Sequence, residues 1–275
     1  MTTAATTVTA KLQRAPRTLR PVRDALAIAA RNLIAYRRVP QLLVFSTIQP
    51  VIFVLLFRYV FGGAVRSIPG VPYVDYLIPG IFVQTTVFGV IATSVGLAAD
   101  VKSGLLERFR SLPMARSAVL VGRTLADLTR NVFVVALMTI VGFAVGFRIH
   151  TSVTALLLGM LLVLWFGYAL SWIFATVGLW VGDPETAQAA AFPVMAPLVF
   201  ASSVFVPVAS MPSWLQPFAE HQPVSVTATA VRALVVGGDV IGVSTASYVL
   251  QSLAWGVGIL LVFGPLAVWR YRRAA

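Results

Sequence analysis

The chain has 275 residues, of which 59% are hydrophobic and 11% charged, and its mean hydropathy is +0.89. This composition excludes an ordinary soluble domain and predicts an integral membrane protein. Cysteine is absent and only two histidines occur, so disulfides and thiolate metal sites are excluded and no metal centre is expected. The net charge of +12 comes from basic residues beside apolar stretches, which indicates a topology signal rather than a nucleic-acid partner.

Two segments precede the first long apolar stretch. Residues 1–21 lack an apolar period and predict a flexible basic tail. Residues 22–39 carry apolar side chains at steps of three and four, which predicts an amphipathic helix in the headgroup layer. These apolar positions are Val22, Leu26, Ala29, Leu33 and Tyr36. The alternative is an ordinary solvated helix ahead of the membrane. Residues 40–275 are expected to form one transmembrane domain.

Six windows are apolar enough to cross the bilayer, which needs about 20 residues. They lie at about 41–61, 76–99, 127–147, 153–181, 187–208 and 246–268. The predicted fold is therefore all-α, a polytopic membrane protein with six transmembrane helices. Seventeen of the 21 Lys and Arg residues fall on the side that holds both termini and the loop between the second and third windows. By the positive-inside rule this side is cytoplasmic.

Two connections between the later windows have a predicted structure. Residues 182–185 predict a tight inner turn, with Asp183 or Thr186 available to cap the helix that follows. The outer connection after the fifth window is too long for a simple loop. It contains an amphipathic aromatic stretch at residues 211–218 and an apolar stretch at residues 227–236. We expect two short helices here, interfacial or re-entrant, packed on the bundle.

Energy-coupling and catalytic motifs are missing from the sequence. Each acidic residue is predicted to lie in a loop or near the end of a span, so no buried proton relay is expected. No Walker A motif occurs, and no pattern of a nucleophile with its base or of paired carboxylates suggests an enzyme. Energy for uphill transport would have to come from another polypeptide.

Residues 100–123 form the one long charged interval between predicted spans. Within it, residues 104–113 predict a short helix with apolar and charged sides that is stopped by Pro113. Together with Arg116, Gly122, Arg123 and Asp127, and with residues 210–225 and 230–234, this segment resembles the permease subunits of type-2 ABC exporters. The resemblance is to the actinobacterial daunorubicin-resistance-like branch and covers the chain from about residue 22.

The resemblance implies a transport subunit and not an enzyme. Two six-helix permeases, either two copies or this chain with a related one, would join two copies of a cytoplasmic ABC ATPase in the bacterial inner membrane. ATP and Mg would bind to the ATPase, and no cofactor to this chain. The segment between spans two and three would be the coupling helix, with Glu107 engaging the ATPase and Arg108, Phe109, Arg110, Leu112 and Pro113 beside it. Residues 22–39 would be the connecting helix, with candidate positions Arg31, Arg37 and Arg38.

The resemblance also places a substrate pathway along the first, second and fifth spans. The candidate lining residues are aromatic or carry amides: Phe45, Gln49, Phe53, Gln84, Phe88, Phe200 and Phe205. Such groups suit an amphipathic or hydrophobic cargo such as a drug, an antibiotic or a lipid. A drug or lipophilic metabolite is favoured over a glycan because the spans have few aromatic and polar clusters suited to sugars.

The sequence leaves two other functions open. One is a non-transporting scaffold or sensor that retains the permease fold. A passive channel is the weaker one, because no ring of charges marks a selective pore.

Overall fold

The computed structural model describes residues 20–38, 41–63, 65, 70–110 and 116–273. No β-strand occurs among them. The helices are α1 (Arg20–Arg38), α2 (Gln41–Leu55), α3 (Tyr73–Gly89), α4 (Ile91–Lys102), α5 (Leu105–Arg110), α6 (Arg116–Ala144), α7 (Val153–Val181), α8 (Pro184–Phe200), α9 (Gln216–His221), α10 (Pro223–Arg232), α11 (Gly238–Ile241) and α12 (Thr245–Arg273). Leu56–Val60 and Ala233–Gly237 are π-helical, and Val208–Ser210 is a 3₁₀ turn. Residues 1–19 of the predicted tail lie outside the described residues.

The helix α7 is the centre of the bundle. It packs most extensively against α12 and α4 and also contacts α3, α6, α8 and α10. Its 29 residues carry no charge. The helix begins after Ser152, whose hydroxyl accepts a hydrogen bond from the Ala155 N–H, and ends at Gly182, which has a φ of +70°. The helix coincides with the predicted window at 153–181. An apolar stretch between a serine cap and a glycine in the left-handed region fixes both ends.

Within the described residues, five helical stretches are long and apolar enough to cross a membrane: Tyr73–Lys102, Ala118–Ala144, Val153–Val181, Pro223–Ile241 and Thr245–Arg273. Four of them overlap predicted windows. The windows at 41–61 and 187–208 also form helices, but the apolar helices there are shorter than 18 residues. The structure therefore supports an all-helical membrane protein with five candidate spans, and the count of six stays a prediction.

The stretch Tyr73–Lys102 is broken at Val90, which the sequence did not predict. The carbonyl of Gly89 accepts a hydrogen bond from Nη2 of Arg130, which approaches from α6. Thr93 then donates its N–H to the carbonyl of Val90 and starts α4. The break therefore coincides with a contact from another helix, and a side chain that bonds a helix carbonyl can disturb the helical hydrogen-bond ladder.

Two expectations for the outer connection need correction. The fifth window was expected to stay helical to residue 208, but α8 ends at Phe200. The following turn is held by α10, since Ser225 Oγ accepts the Ser203 N–H and Arg232 donates to the carbonyl of Val204. The apolar stretch expected as a short helix at 227–236 belongs to Pro223–Ile241, a largely buried helical stretch of 19 residues.

The helix α1 (Arg20–Arg38) covers most of the residues predicted to form an amphipathic helix, and its place in the headgroup layer stays a prediction. The side that packs on α6 holds Ala25, Ile28, Ala29 and Asn32, all buried, while Leu26 is exposed. The contact is close because α6 has glycine at position 122, where a Cβ would lie 2.5 Å from the carbonyl oxygen of Ala25. The buried face of α1 thus combines small and apolar side chains with a close backbone approach at Gly122.

Candidate functional site: an ionic network, a polar cavity and an aromatic cluster

The short helix α5 occupies the predicted coupling position between α4 and α6. It follows Gly104, whose φ of +66° lies in the left-handed region. Leu106 is buried in a core cluster formed with α1, α4, α6, α7 and α12. Glu107 and Arg108 are exposed, and no ion pair involves the Glu107 carboxylate within the described part of the chain. The side chains of Phe109 and Arg110 and the residues Leu112 and Pro113 lie outside the described residues.

An ionic network lies beside α5 and joins α1, α4 and α6; it consists of Arg31, Asp100, Arg123 and Asp127. Asp100 Oδ1 lies 3.7 Å from Nη2 of Arg31, and its Oδ2 lies 4.0 Å from Nη1 of Arg123. Nε of Arg123 lies 3.5 Å from Oδ2 of Asp127. Arg123 can cross α4 because position 96 is glycine, where a Cβ would overlap its guanidinium. The network ties the predicted connecting helix to both helices that flank α5.

Arg31 is the one candidate position of the connecting helix with a described side chain. The side chains of Arg37 and Arg38 lie outside the described residues.

A second ionic contact fixes the turn between α7 and α8 to the end of α4. Lys102 Nζ donates to Asp183 Oδ1 at 2.7 Å, on the surface. Oδ2 of Asp183 accepts the Thr186 N–H at 3.0 Å, which confirms Asp183 as the predicted cap of α8. The hydrogen bonds from Lys102 and Thr186 lower the pKa of Asp183 from its ordinary value of 3.8 to about 2.

The expectation that acidic residues lie only in loops or near span ends is wrong for Asp127. The helix α6 begins at Arg116, so Asp127 lies well inside it and is buried. Its Oδ2 accepts a hydrogen bond from Thr93 Oγ1 at 2.7 Å. The prediction failed because the window average started the span at residue 127 and left the preceding helical turns outside.

A polar cavity of about 120 Å³ lies between α2, α3 and α6. The cavity is lined by Ser46, Gln49, Pro50, Gln84, Thr85, Phe88, Gly89, Ala92, Arg130, Asn131 and Val134. An adjoining groove of about 620 Å³ runs between α2, α4 and α8 and shares Gln49 and Phe88 with the cavity. Three predicted pathway residues, Gln49, Gln84 and Phe88, therefore meet at one place.

An aromatic cluster joins the end of α2 to the turn after α8; it consists of Phe53, Phe57, Phe200 and Phe205. The rings of Phe57 and Phe205 stack with centroids 4.3 Å apart and an interplanar angle of 10°. Phe53 lies 5.6 Å from Phe205 and 6.2 Å from Phe200. The structure thus brings together the other predicted pathway residues whose side chains are described. The side chain of Phe45 is outside the described residues.

Comparison with known proteins shows which family this helical fold belongs to. The model of the ABC-2 type transporter membrane family matches residues 23–236. The chain belongs to the ABC-2 type transporter family. It is 34% identical over 261 residues to the daunorubicin resistance ABC transporter permease protein DrrB1 of Streptomyces coeruleorubidus, covering 92% of this chain and 89% of that protein. It is 29% identical over 231 residues to the probable doxorubicin resistance ABC transporter permease protein DrrC of Mycobacterium tuberculosis, covering 84% and 81%.

Several residues at the sites of this ABC-2 permease were missed by the sequence reasoning. Phe57 lies one turn after Phe53, and this spacing of four residues was a usable signal. Thr85 and Arg130 line the polar cavity, but Arg130 had been counted as a topology charge on the cytoplasmic side. Its burial depends on α3, which is distant in sequence, so no local pattern could reveal it.

Proposed function

We propose that this chain is the membrane permease subunit of an ATP-driven ABC exporter that moves an amphipathic or hydrophobic molecule out of the cytoplasm or inner leaflet. Its membership of the ABC-2 type transporter family carries this proposal. The names of two relatives refer to daunorubicin and doxorubicin resistance, which supports a drug or antibiotic as cargo here, with a lipid as the other choice.

The orientation and partners belong to the same proposal. Both termini and α5 would face the cytoplasm of a bacterial cell, where 17 of the 21 basic residues would lie under the predicted topology. Six segments built on α2, α3 with α4, α6, α7, α8 and α12 would cross the inner membrane, and α10 would be re-entrant. Two copies of a separate ABC ATPase would bind ATP and Mg. A second permease, identical or related, would complete the transporter.

The helix α5 is proposed as the coupling helix that docks on the ATPase. Glu107 and Arg108 are exposed for a partner, while Leu106 inserts into the core cluster shared by five other helices. A displacement of α5 would therefore reach the bundle through packed side chains rather than through a loose loop. Phe109, Arg110, Leu112 and Pro113 would extend the docking segment.

The ionic network would keep α5 and the connecting helix in a fixed relation. Asp100 lies in the last turn of α4, just before α5, and contacts Arg31 on α1 and Arg123 on α6. Arg31 is therefore positioned to link α1 to a movement of α5, and Arg37 and Arg38 would continue the same helix toward the membrane.

The substrate pathway is proposed along the face that α2 shares with α3 and α8. The polar cavity with Gln49, Gln84 and Phe88 would form one part, and the aromatic cluster with Phe53, Phe200 and Phe205 the other; Phe45 would lie on the preceding turn of α2. The groove volume of about 620 Å³ falls within the roughly 300–1,000 Å³ typical of small-molecule sites.

Purification of the full chain with its candidate ATPase tests the proposal. We expect a stable complex whose ATP hydrolysis is stimulated by a subset of amphipathic drugs or lipids. Glu107→Ala should lower substrate-stimulated hydrolysis at least about tenfold, since a charged contact contributes about 1.5–3 kcal/mol. Glu220→Ala, at an exposed glutamate in α9, is the matched control and should leave it unchanged.

Two results would count against these assignments. Full coupling in Glu107→Ala would remove that residue from the interface. A chain that neither binds an ATPase nor supports export would favour the scaffold or sensor alternative.

A further inference from the structure

The polar cavity contains a buried cation without a counter-charge. Arg130 is 8% exposed, and Nη2 donates to the carbonyl of Gly89 and to Oδ1 of Asn131. No carboxylate in the described part of the chain pairs with it, and the nearest acidic position along α6, Asp127, pairs with Arg123. A buried charge that lacks an opposite charge costs several kcal/mol. Such a charge inside a membrane protein points to a functional partner.

Unpartnered polar atoms surround the same space. Nε of Arg130, Oε1 of Gln84 and Oγ1 of Thr85 are buried and have no hydrogen-bond partner among the described residues. Gln84 is 1% exposed and Thr85 6% exposed, and all three residues line the cavity. Ten such atoms occur among the described residues, and three of them belong to residues that line this one cavity, which favours it as a place for a polar ligand. The cavity volume of about 120 Å³ is well above the roughly 15 Å³ that one water needs.

The adjoining groove has a different chemistry. Phe88 and Phe192 lie on it with ring centroids 6.2 Å apart, and Ile91 and Ala189 add apolar surface. Gln188 and the Glu185 carboxylate also line it, toward the beginning of α8. Because the cavity and groove share Gln49 and Phe88, one molecule can occupy both, with an apolar body in the groove and a polar end in the cavity.

We propose that the polar cavity binds an anionic oxygen group, a carboxylate or phosphate, of an amphipathic molecule whose apolar body lies in the groove. The Arg130 guanidinium supplies the charge and an N–H donor, and Thr85 supplies a hydroxyl donor. Oε1 of Gln84, which accepts, would bond an N–H or O–H group elsewhere on the molecule. This assignment depends on the proposed function in one respect, namely that the bound molecule is transported cargo. The anion could equally belong to a membrane phospholipid.

The experiment measures binding to the purified full chain in neutral maltoside detergent, which carries no phosphate. The probes are radiolabelled naphthylbutanoate, its methyl ester and naphthylbutylamine, which share one apolar body. We expect the carboxylate to bind roughly tenfold to hundredfold more tightly than the ester, because a hydrogen bond to a charged group contributes that much. The amine should bind most weakly.

Variants separate charge recognition from a structural role. Arg130→Gln should abolish the preference for the carboxylate, and Arg130→Lys should retain most of it. Arg148→Gln, at an exposed arginine outside the cavity, is the matched control and should bind like the wild type. If Arg130→Gln fails to fold, Gln84→Glu provides the test, since a carboxylate beside Arg130 neutralises the cavity and should abolish the preference for the carboxylate over the amine. Equal affinities of the wild type for all three probes, or an unchanged preference in Arg130→Gln, would overturn the proposal.

A competition arm identifies the source of the anion. Displacement of naphthylbutanoate by phosphatidylglycerol would assign the site to a membrane lipid, and failure to displace it would assign the site to cargo. The result is also separable from the proposed export. If the probes show the carboxylate preference but do not stimulate ATP hydrolysis by the partner, export is refuted and the site is not. If substrates stimulate ATP hydrolysis but no probe is preferred, the site is refuted and export is not.

Discussion

Arg232 joins three segments that are distant in sequence, and its replacement should destabilise the outer half of the bundle. Its side chain is buried. Nε donates to the carbonyl of Tyr76 at 2.7 Å, Nη1 to Ser203 Oγ at 3.2 Å and Nη2 to the carbonyl of Val204 at 2.8 Å. Cζ also lies 3.7 Å from the centre of the Tyr76 ring. The guanidinium thereby holds α10 to α3 and to the turn after α8.

The expected change in the free energy of unfolding is the balance between the contacts that Arg232→Met removes and the cost of charge burial that it relieves. Hydrogen bonds from a charged group contribute about 1.5–3 kcal/mol each, and a desolvated cation–π contact about 2 kcal/mol. Relief from burying the charge returns several kcal/mol. We expect a net loss of about 2–4 kcal/mol, which lowers the unfolding midpoint by roughly 5–15 °C in a protein of this size.

The assay is thermal unfolding of the detergent-purified protein, followed by intrinsic tryptophan fluorescence. Arg148→Met, at an exposed arginine, should change stability by less than about 0.5 kcal/mol. Arg232→Lys should be at least as destabilising as Arg232→Met, because one ammonium can neither reach all three acceptors nor stack flat on a ring. Wild-type stability in Arg232→Lys would show that charge alone matters and would refute this reasoning.

Two further predictions concern the packing of α1 and the turn before α8. Gly122→Ala places a Cβ 2.5 Å from the carbonyl oxygen of Ala25, so α1 must shift. We expect the free energy of unfolding to fall by about 1–3 kcal/mol and trypsin to cleave α1 faster. Gly264→Ala is the control, because its Cβ would enter open space, and it should be cleaved like the wild type. The hydrogen bond from Lys102 lowers the pKa of Asp183 to about 2. The Asp183 carboxylate therefore stabilises the fold fully above about pH 4, and this contribution fades toward pH 2. The unfolding midpoints of wild type and Asp183→Asn should differ by the same amount at pH 5 and pH 8, and a difference that shrinks within that range would contradict the assignment.

Helix positions were predictable where local signals were complete. The helix α7 combines a long run without charged residues with Ser152 at one end and Gly182 at the other, and its bounds agree with the predicted window. The cap of α8 was likewise predictable, because Asp183 followed by proline is a local motif. These features depend on neighbours within a few residues, which a sequence displays directly.

Prediction failed where distant segments decide the local conformation. Arg130 contacts the chain at the break near Val90, and Ser225 and Arg232 contact the turn that follows the end of α8 at Phe200. A hydropathy average over a window treats every arginine as unfavourable inside a membrane. It cannot detect whether another helix supplies hydrogen-bond acceptors for the guanidinium. Gln49, Gln84 and Phe88, which the sequence reasoning chose for the substrate pathway, do line one cavity, and their role there stays a prediction.

The sequence by itself determined the all-helical membrane class, most helix positions and the family, because apolar length and short motifs are encoded locally. Only the tertiary structure decided which charges are buried and what they contact. Asp127, Arg130 and Arg232 all lie inside the protein. Each is held by groups from another helix, such as Tyr76, which is 156 positions from Arg232. A buried charge is tolerated only with such partners, and their proximity is a property of the folded chain.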